Sequence, residues 1–172
     1  MQITMLSDGN VMFEDARIIF RNFAGEEDMY NAKGSRNFCI LIDDPVDAEQ
    51  MKKDGWNVKD LKAREPGESD QPYLQISVGY KAFPPKIYII TGTATNDPKR
   101  TSLGEDEIEV LDWVDIQTVD VIIRPYRWTL KDGRTGIKAY VKSLFMTINE
   151  DALEQKYSDL EELPARAGRV DE

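Results

Sequence analysis

The 172-residue chain contains no histidine. That absence excludes Ser-His-Asp and Cys-His catalysis, every zinc site with an imidazole ligand, and the commonest general base. Cysteine is nearly as scarce. Cys39 stands alone, so no internal disulfide can form, and the chain reads as one made for a reducing, cytoplasmic compartment. Its place in the apolar run Phe38-Cys39-Ile40-Leu41-Ile42 predicts a small core residue. No apolar run approaches the roughly 20 residues of a membrane span. The first residues carry neither a basic leader nor a long apolar stretch, so no signal peptide is expected. The glycines are scattered as turn residues, without a phosphate-cradling P-loop or a dinucleotide fingerprint. Internal repeats and low-complexity segments are also absent.

What remains for an enzyme is carboxylate chemistry with Mg²⁺ held by Asp and Glu. The densest acidic cluster is Glu105-Asp106-Glu107-x-Glu109, followed by Asp112 and Asp115. It reads more simply as the solvated face of a short helix. Ser102 and Glu105 have capping-box spacing, Ile108 and Leu111 supply an apolar stripe, and acids in a first helical turn complement the helix dipole. The expectation is a protein without catalytic residues, metal or cofactor.

The chain is rich where residues 118–148 form two strand-like runs around Asp132-Gly133, a dipeptide with hairpin-turn chemistry. Lys131 to Thr135 is long enough for a bulged loop. Side chains alternate along a strand, so Arg124, Tyr126 and Trp128 share one side of the first run, and Lys138, Tyr140 and Lys142 one side of the second. If register brings those sides together, the hairpin presents flat rings between cations. Rings stack on bases and cations follow phosphates, which is what an unpaired nucleic-acid strand requires. The competing reading is an amphipathic hairpin with its rings in a core and its lysines snorkelling at the rim. Pro125 cannot donate to a ladder and places its run at a sheet edge or bulge.

Charge separates this segment from the rest. The chain carries a formal −10, yet residues 118–148 hold six Lys/Arg against Asp120 and Asp132, a local excess of +4. Residues 149–172 hold eight acids against Lys156, Arg166 and Arg169, a net −5. The layout is a globular body with a basic face and an acidic tail.

Elsewhere, Val11 to Phe23 is extended, most clearly from Ala16, with Arg17, Ile19, Arg21 and Phe23 on one face and Ile18 and Phe20 on the other. A polar loop with Gly25 and Gly34 leads to a strand from Arg36 to Ile42. Asp44-Pro45 then opens a helix that Gly55 closes. Trp56 to Arg64 is extended. Tyr73 to Lys81 alternates, with Leu74, Ile76, Val78 and Tyr80 on one side, and Phe83-Pro84-Pro85 interrupts before Lys86 to Thr91. Lys99 and Arg100 fall in a loop before the acidic helix. Short strands at close intervals with few helices predict a mainly β chain, a small barrel or sandwich. Asn149 reads as the N-cap of a tail helix with Leu153, Tyr157 and Leu160 on one stripe, stopped by Pro164.

These runs together resemble the phage single-stranded DNA-binding proteins built on an OB-fold. The likeness rests on Ala16-Arg17-Ile18-Ile19-Phe20-Arg21-Asn22-Phe23, Asn37 to Asp43, Asp54-Gly55-Trp56-Asn57-Val58-Lys59, Ser77-Val78-Gly79-Tyr80 through Pro84-Pro85-Lys86, Val121-Ile122-Ile123-Arg124-Pro125-Tyr126-x-Trp128, and Gly136 to Tyr140. It spans roughly residues 12–160. The resemblance implies a single OB-fold-like β-barrel over residues 1–148, an acidic C-terminal helix and tail over 149–172, and a groove that coats ssDNA during phage replication or recombination in the host cytoplasm, without chemistry. The residues expected to carry binding are Arg124, Tyr126, Trp128, Lys138, Tyr140 and Lys142, with Arg17, Arg21, Lys59, Lys81 and Lys86 behind them. Replication or recombination proteins are expected as partners of the acidic end. The chain departs from relatives that finish on an aromatic or apolar residue, because it ends Arg169-Val170-Asp171-Glu172, which leaves Tyr157 to Leu163 for such contacts. Two rival readings stand beside this one: an acidic phage interaction protein that binds a host or replication protein, and a Mg²⁺-dependent nuclease using Asp112, Asp115 or Asp120.

Overall fold

Period-2 alternation decides most of the elements in the computed structural model, which describes residues 1–150. In chain order they are β1 (Gln2–Met5), β2 (Val11–Glu14), β3 (Ile18–Asn22), β4 (Arg36–Leu41), α1 (Pro45–Asp54), β5 (Val58–Leu61), β6 (Gln71–Val78), β7 (Lys86–Thr91), β8 (Lys99–Leu103), a 3-10 turn (Ile108–Asp112), β9 (Ile116–Thr129) and β10 (Thr135–Ile148). The fold is mainly β, as the strand spacing predicts. The expected tail helix after Glu150 lies outside the described residues. At the end of the described chain, Asn149 donates its backbone amide to the Asp115 carbonyl, and Glu150 accepts from the Gly92 amide.

All ten strands join one sheet, in the order β1-β2-β9-β10-β6-β4-β3, with β5 on β6, β7 on β10 and β8 on β7. β1 and β3 are not paired to each other, so the hydrogen-bonded sheet is not a closed barrel. The hub is β10. It pairs antiparallel with β9 over its whole length, while its other edge takes β6 in parallel and then β7 in parallel. A bulge between Val141 and Ser143 keeps the inner side apolar along so long a strand: Ile137, Ala139 and Val141 are buried before it, Leu144 and Met146 after it. Facing them are Val119, Val121 and Ile123 of β9, Leu74, Ile76 and Val78 of β6, and Phe38 of β4 stacked 5.2 Å from Phe23. Each fully buried side chain of this size is worth about 1.5–3 kcal/mol of apolar transfer.

Helix α1 forms as its termini predict. The Asp44 carboxylate accepts from the Val46 amide at 2.8 Å, Pro45 takes the first turn, and Gly55 closes the helix at φ 103°, a conformation that favours glycine. Ala48 and Met51 are buried beneath it. The Gly55 carbonyl accepts from the Ile137 amide, which ties the helix end to β10.

Four local expectations are corrected. Val11 to Phe23 is two strands, because Asp15 turns the chain at φ 54°. The alternation of β3 breaks at a bulge between Ile19 and Asn22, which leaves Phe20 exposed and sends Phe23 into the core. Lys99 and Arg100 begin a strand, not a loop, and Ser102 belongs to it. The acidic helix is therefore only the 3-10 turn, with Glu107 accepting from the Gly104 amide in place of a Ser102 capping box. Cys39 is buried, as its apolar run predicts, on the face of β4 opposite Phe38 and Ile40 and level with Gln75 in register.

Candidate nucleic-acid interface

The β9–β10 register puts the two predicted sides together. Arg124 stands opposite Tyr140, Tyr126 opposite Lys138, and Trp128 opposite Gly136, all on the side of the hairpin away from the core. The alternating partners Ile123, Ile137, Ala139 and Val141 take the inner side, so the rings are not core residues. Between the strands the chain turns through Leu130 to Arg134. The Gly133 amide donates to the Leu130 carbonyl, the Leu130 amide to the Arg134 carbonyl, and Gly133 sits at φ 91°. This is the bulged loop rather than a two-residue turn. Pro125 lies where β9 has passed the end of β2, which covers only Val121 to Ile123, so its missing donor faces an open edge.

Tyr140 is the centre of the face. The Arg124 guanidinium lies 5.1 Å from its ring centroid, the Lys138 Nζ 5.0 Å, and the Tyr126 ring meets it edge-on at 6.1 Å. Cations at such distances are held by the ring quadrupole, each contact worth about 0.5–1 kcal/mol where exposed. Tyr140 also covers Gly79 of the chain leaving β6; a Cβ there would stand 3.1 Å from its ring. The Arg124 guanidinium is shared with Phe83, 4.7 Å away and 64 % exposed. Neither Arg124 nor Lys138 is in an ion pair among the described residues, so both charges remain available. Sequence reasoning missed Phe83. The available signal was an aromatic set beside Pro84-Pro85 in a segment too short to be core.

The other predicted cations divide. Lys59 stands opposite Tyr73 in register, on the same side of the sheet as the rings, while Lys81 and Lys86 are exposed on either side of Phe83. Lys142 sits at the β10 bulge, its Nζ 3.8 Å from Asp8. Arg17 is paired with Asp43 at 3.1 Å. Arg21 is turned inward, donating to the carbonyls of Leu111 and Val114 at 2.9 Å each, and is a bracket for the loop after the 3-10 turn instead of a free phosphate contact.

Beyond the hairpin the same side of the sheet continues over Ser77 and Gln75 of β6. A cavity of about 280 Å³ lies between Gln75, Ser77, Trp128 and Lys138. A larger one of about 650 Å³ follows, bounded by Phe20, Tyr30, Tyr73, Gln75 and Trp113, with Cys39 in its lining. Burial pushes the Cys39 thiol up to about 11, against a weaker downward pull from Lys59. The acids proposed for a nuclease are engaged in hydrogen bonds, two of them to backbone amides. Asp112 accepts from the amides of Phe23 and Ala24 at 2.7 and 3.0 Å, Asp120 from that of Asp15 at 2.8 Å, and Asp115 from the Asn149 side chain at 3.3 Å. Among the described residues no group of three or more His, Cys, Asp or Glu side chains is arranged to hold a metal ion.

Rings and unpaired cations thus share one outer face of the β9–β10 hairpin. A family model described as "Putative phage ssDNA-binding domain" matches residues 1–171. The chain belongs to this family. Its fold is similar to the single-stranded DNA-binding protein from bacteriophage Enc34, at TM-score 0.55 and 10 % identity over 97 % of this chain and 93 % of that one. A C-terminally truncated form of the Enc34 protein matches at TM-score 0.53 and 12 % identity, over 86 % and 90 % of the two chains. Bacteriophage T7 gp2.5, a single-stranded DNA-binding protein, matches at TM-score 0.33 and 9 % identity over 89 % and 96 %. Comparison with curated proteins gave no match. No helix of the described residues is long and apolar enough to cross a membrane.

Proposed function

We propose that this phage protein binds and protects single-stranded DNA in the host cytoplasm, during replication or recombination, by stacking bases on the outer rings of the β9–β10 hairpin. The observation that carries this reading is the register opposing Arg124, Tyr126 and Trp128 to Tyr140, Lys138 and Gly136 on the side away from the core. Phosphates are followed by Arg124 and Lys138, with Lys59, Lys81, Lys86 and Lys142 further along the same surface. The protein does no chemistry on the strand: Asp112, Asp115 and Asp120 are spent on structural hydrogen bonds. The acidic residues 149–172, net −5, compete with DNA for the cationic face and recruit replication or recombination proteins through Tyr157 to Leu163.

The test is a titration of labelled single-stranded, duplex and RNA oligonucleotides at several salt concentrations. Stacking needs unpaired bases, so duplex should bind at least about tenfold more weakly than the single strand. Affinity should fall as salt rises, through counterion release. Equal affinity for duplex and single strand would remove the stacking mechanism.

A further inference from the structure

The large cavity on β3 contains a ring in a conformation that folding alone does not reward. Phe20 has φ 54°, in the left-handed region that a bulky side chain rarely adopts, and lies within the β3 bulge. Such a conformation is strained and persists only where the surroundings enforce it. Burial does not repay the cost, because Phe20 is 60 % exposed, touching the Tyr73 ring edge-on at 6.5 Å. Trp113, 77 % exposed, lines the same cavity. Its loop is pinned on both flanks to the chain around β3: Arg21 holds the carbonyls of Leu111 and Val114, and Asp112 holds the amides of Phe23 and Ala24. Two exposed rings are therefore held in place at the cost of local strain, beside a cavity of about 650 Å³.

The charges around this cavity differ from those of the hairpin. Glu26, Glu27 and Asp28 line it, and the one cation in its lining, Arg21, is occupied by carbonyls. Phosphate is disfavoured there, while a neutral base is not. The cavity is continuous with the hairpin face through Gln75, which lines both this cavity and the smaller one beside Trp128 and Lys138. Gln75 is exposed.

We propose that the Phe20–Tyr73–Trp113 cavity is a second base-stacking station, which takes a nucleobase of the same strand bound at the hairpin and keeps its phosphates outside the acidic rim. The inference rests on the ssDNA reading above and adds a site that uses stacking without cation contacts. Its contribution to affinity should therefore be nearly independent of salt, unlike that of the hairpin, since no counterions are released where no phosphate is neutralised.

The test compares the full-length protein with Phe20→Gly and Trp113→Ala on oligothymidylates of about 4 and about 16 nucleotides, the span of site sizes for such folds. Each variant should lose roughly 5–150-fold in affinity for the longer strand, the effect of removing one stacking ring. Affinity for the short strand, which the hairpin station alone can hold, should be unchanged, as should the slope of log affinity against log salt. Phe20→Gly should also raise the melting temperature, because glycine accepts φ 54° without strain. A ring with a structural role would instead lower it. Unchanged affinity of both variants for the longer strand, with the wild type binding normally, overturns the second station alone. Failure of the wild type to bind any single strand overturns the parent reading instead. Tryptophan quenching that Trp113→Ala abolishes, produced by a lysine-rich peptide but not by oligonucleotide, would mark the acidic, ring-lined cavity as a site for cationic side chains and also overturn the proposal.

Discussion

The Trp128 indole packs directly onto Gly136, its register partner across the β9–β10 hairpin, so closely that a Cβ built on Gly136 would stand 2.4 Å from the indole Cζ2. No real Cβ fits there, so any side chain at 136 must displace the ring. Gly136→Ala is expected to weaken ssDNA binding by about 1–3 kcal/mol, matching Trp128→Ala, if the ring's position is what binding uses. The double variant should be no worse than either single one, since both remove the same stacking surface. Fluorescence titration of the three variants checks this, and additive losses would separate the two residues.

Lys138 and Tyr140 touch each other yet should fail in different ways. If Lys138 follows phosphate as proposed, Lys138→Ala should lower the slope of log affinity against log salt by about 1. Tyr140→Ala removes a ring and should cost about 1–3 kcal/mol of affinity with little change in that slope. Both variants should stay folded, because neither side chain belongs to the core cluster. Unfolding of Tyr140→Ala would place its ring among the structural residues.

Asp112 holds two backbone amides at the end of β3, at 2.7 and 3.0 Å. Hydrogen bonds to a charged group contribute about 1.5–3 kcal/mol each, so Asp112→Ala should lower stability by a few kcal/mol. Chemical denaturation measures it. A variant as stable as the wild type would free Asp112 for the catalytic role that the nuclease reading gives it.

Cys39 gives a pH signature. Its thiol is raised from 9.0 to about 11 by burial. In the unfolded chain it ionises near pH 9, so between the two values the folded state keeps a proton that the unfolded state has lost. Stability from the neutral thiol is therefore fully present below about pH 9 and falls away as pH rises toward 11. Wild type should lose stability relative to Cys39→Ala across that window, read from melting temperatures of the two proteins. A difference constant with pH would put the thiol in contact with water.

Much of the sheet was legible because burial on one side of a strand leaves a local trace. Leu74, Ile76 and Val78 alternate with polar neighbours and are buried, and Asp44-Pro45 with Gly55 marked the ends of α1. The strands β1 and β8 left a weaker trace: β8 is the sequence Lys-Arg-Thr-Ser-Leu, mostly exposed, and is a strand only because β7 offers it an edge. The same holds for the bulge at Phe20, which reverses the local pattern for a reason set by β4 and the Trp113 loop.

By itself, the sequence determined the class of fold, the absence of histidine chemistry, and the grouping of Arg124, Tyr126 and Trp128 on one side of their strand, because a period of two is a property of the chain alone. Which side of β10 met them was a matter of register, and register depends on the loop at Gly133 and on the apolar inner row of Ile137, Ala139 and Val141. Only the tertiary structure decided that Arg21 is a bracket, that Phe83 joins Arg124, and that Phe20, Tyr73 and Trp113 line one cavity. Those residues lie far apart in the chain, and no local pattern encodes a meeting that arises when separate strands share one sheet.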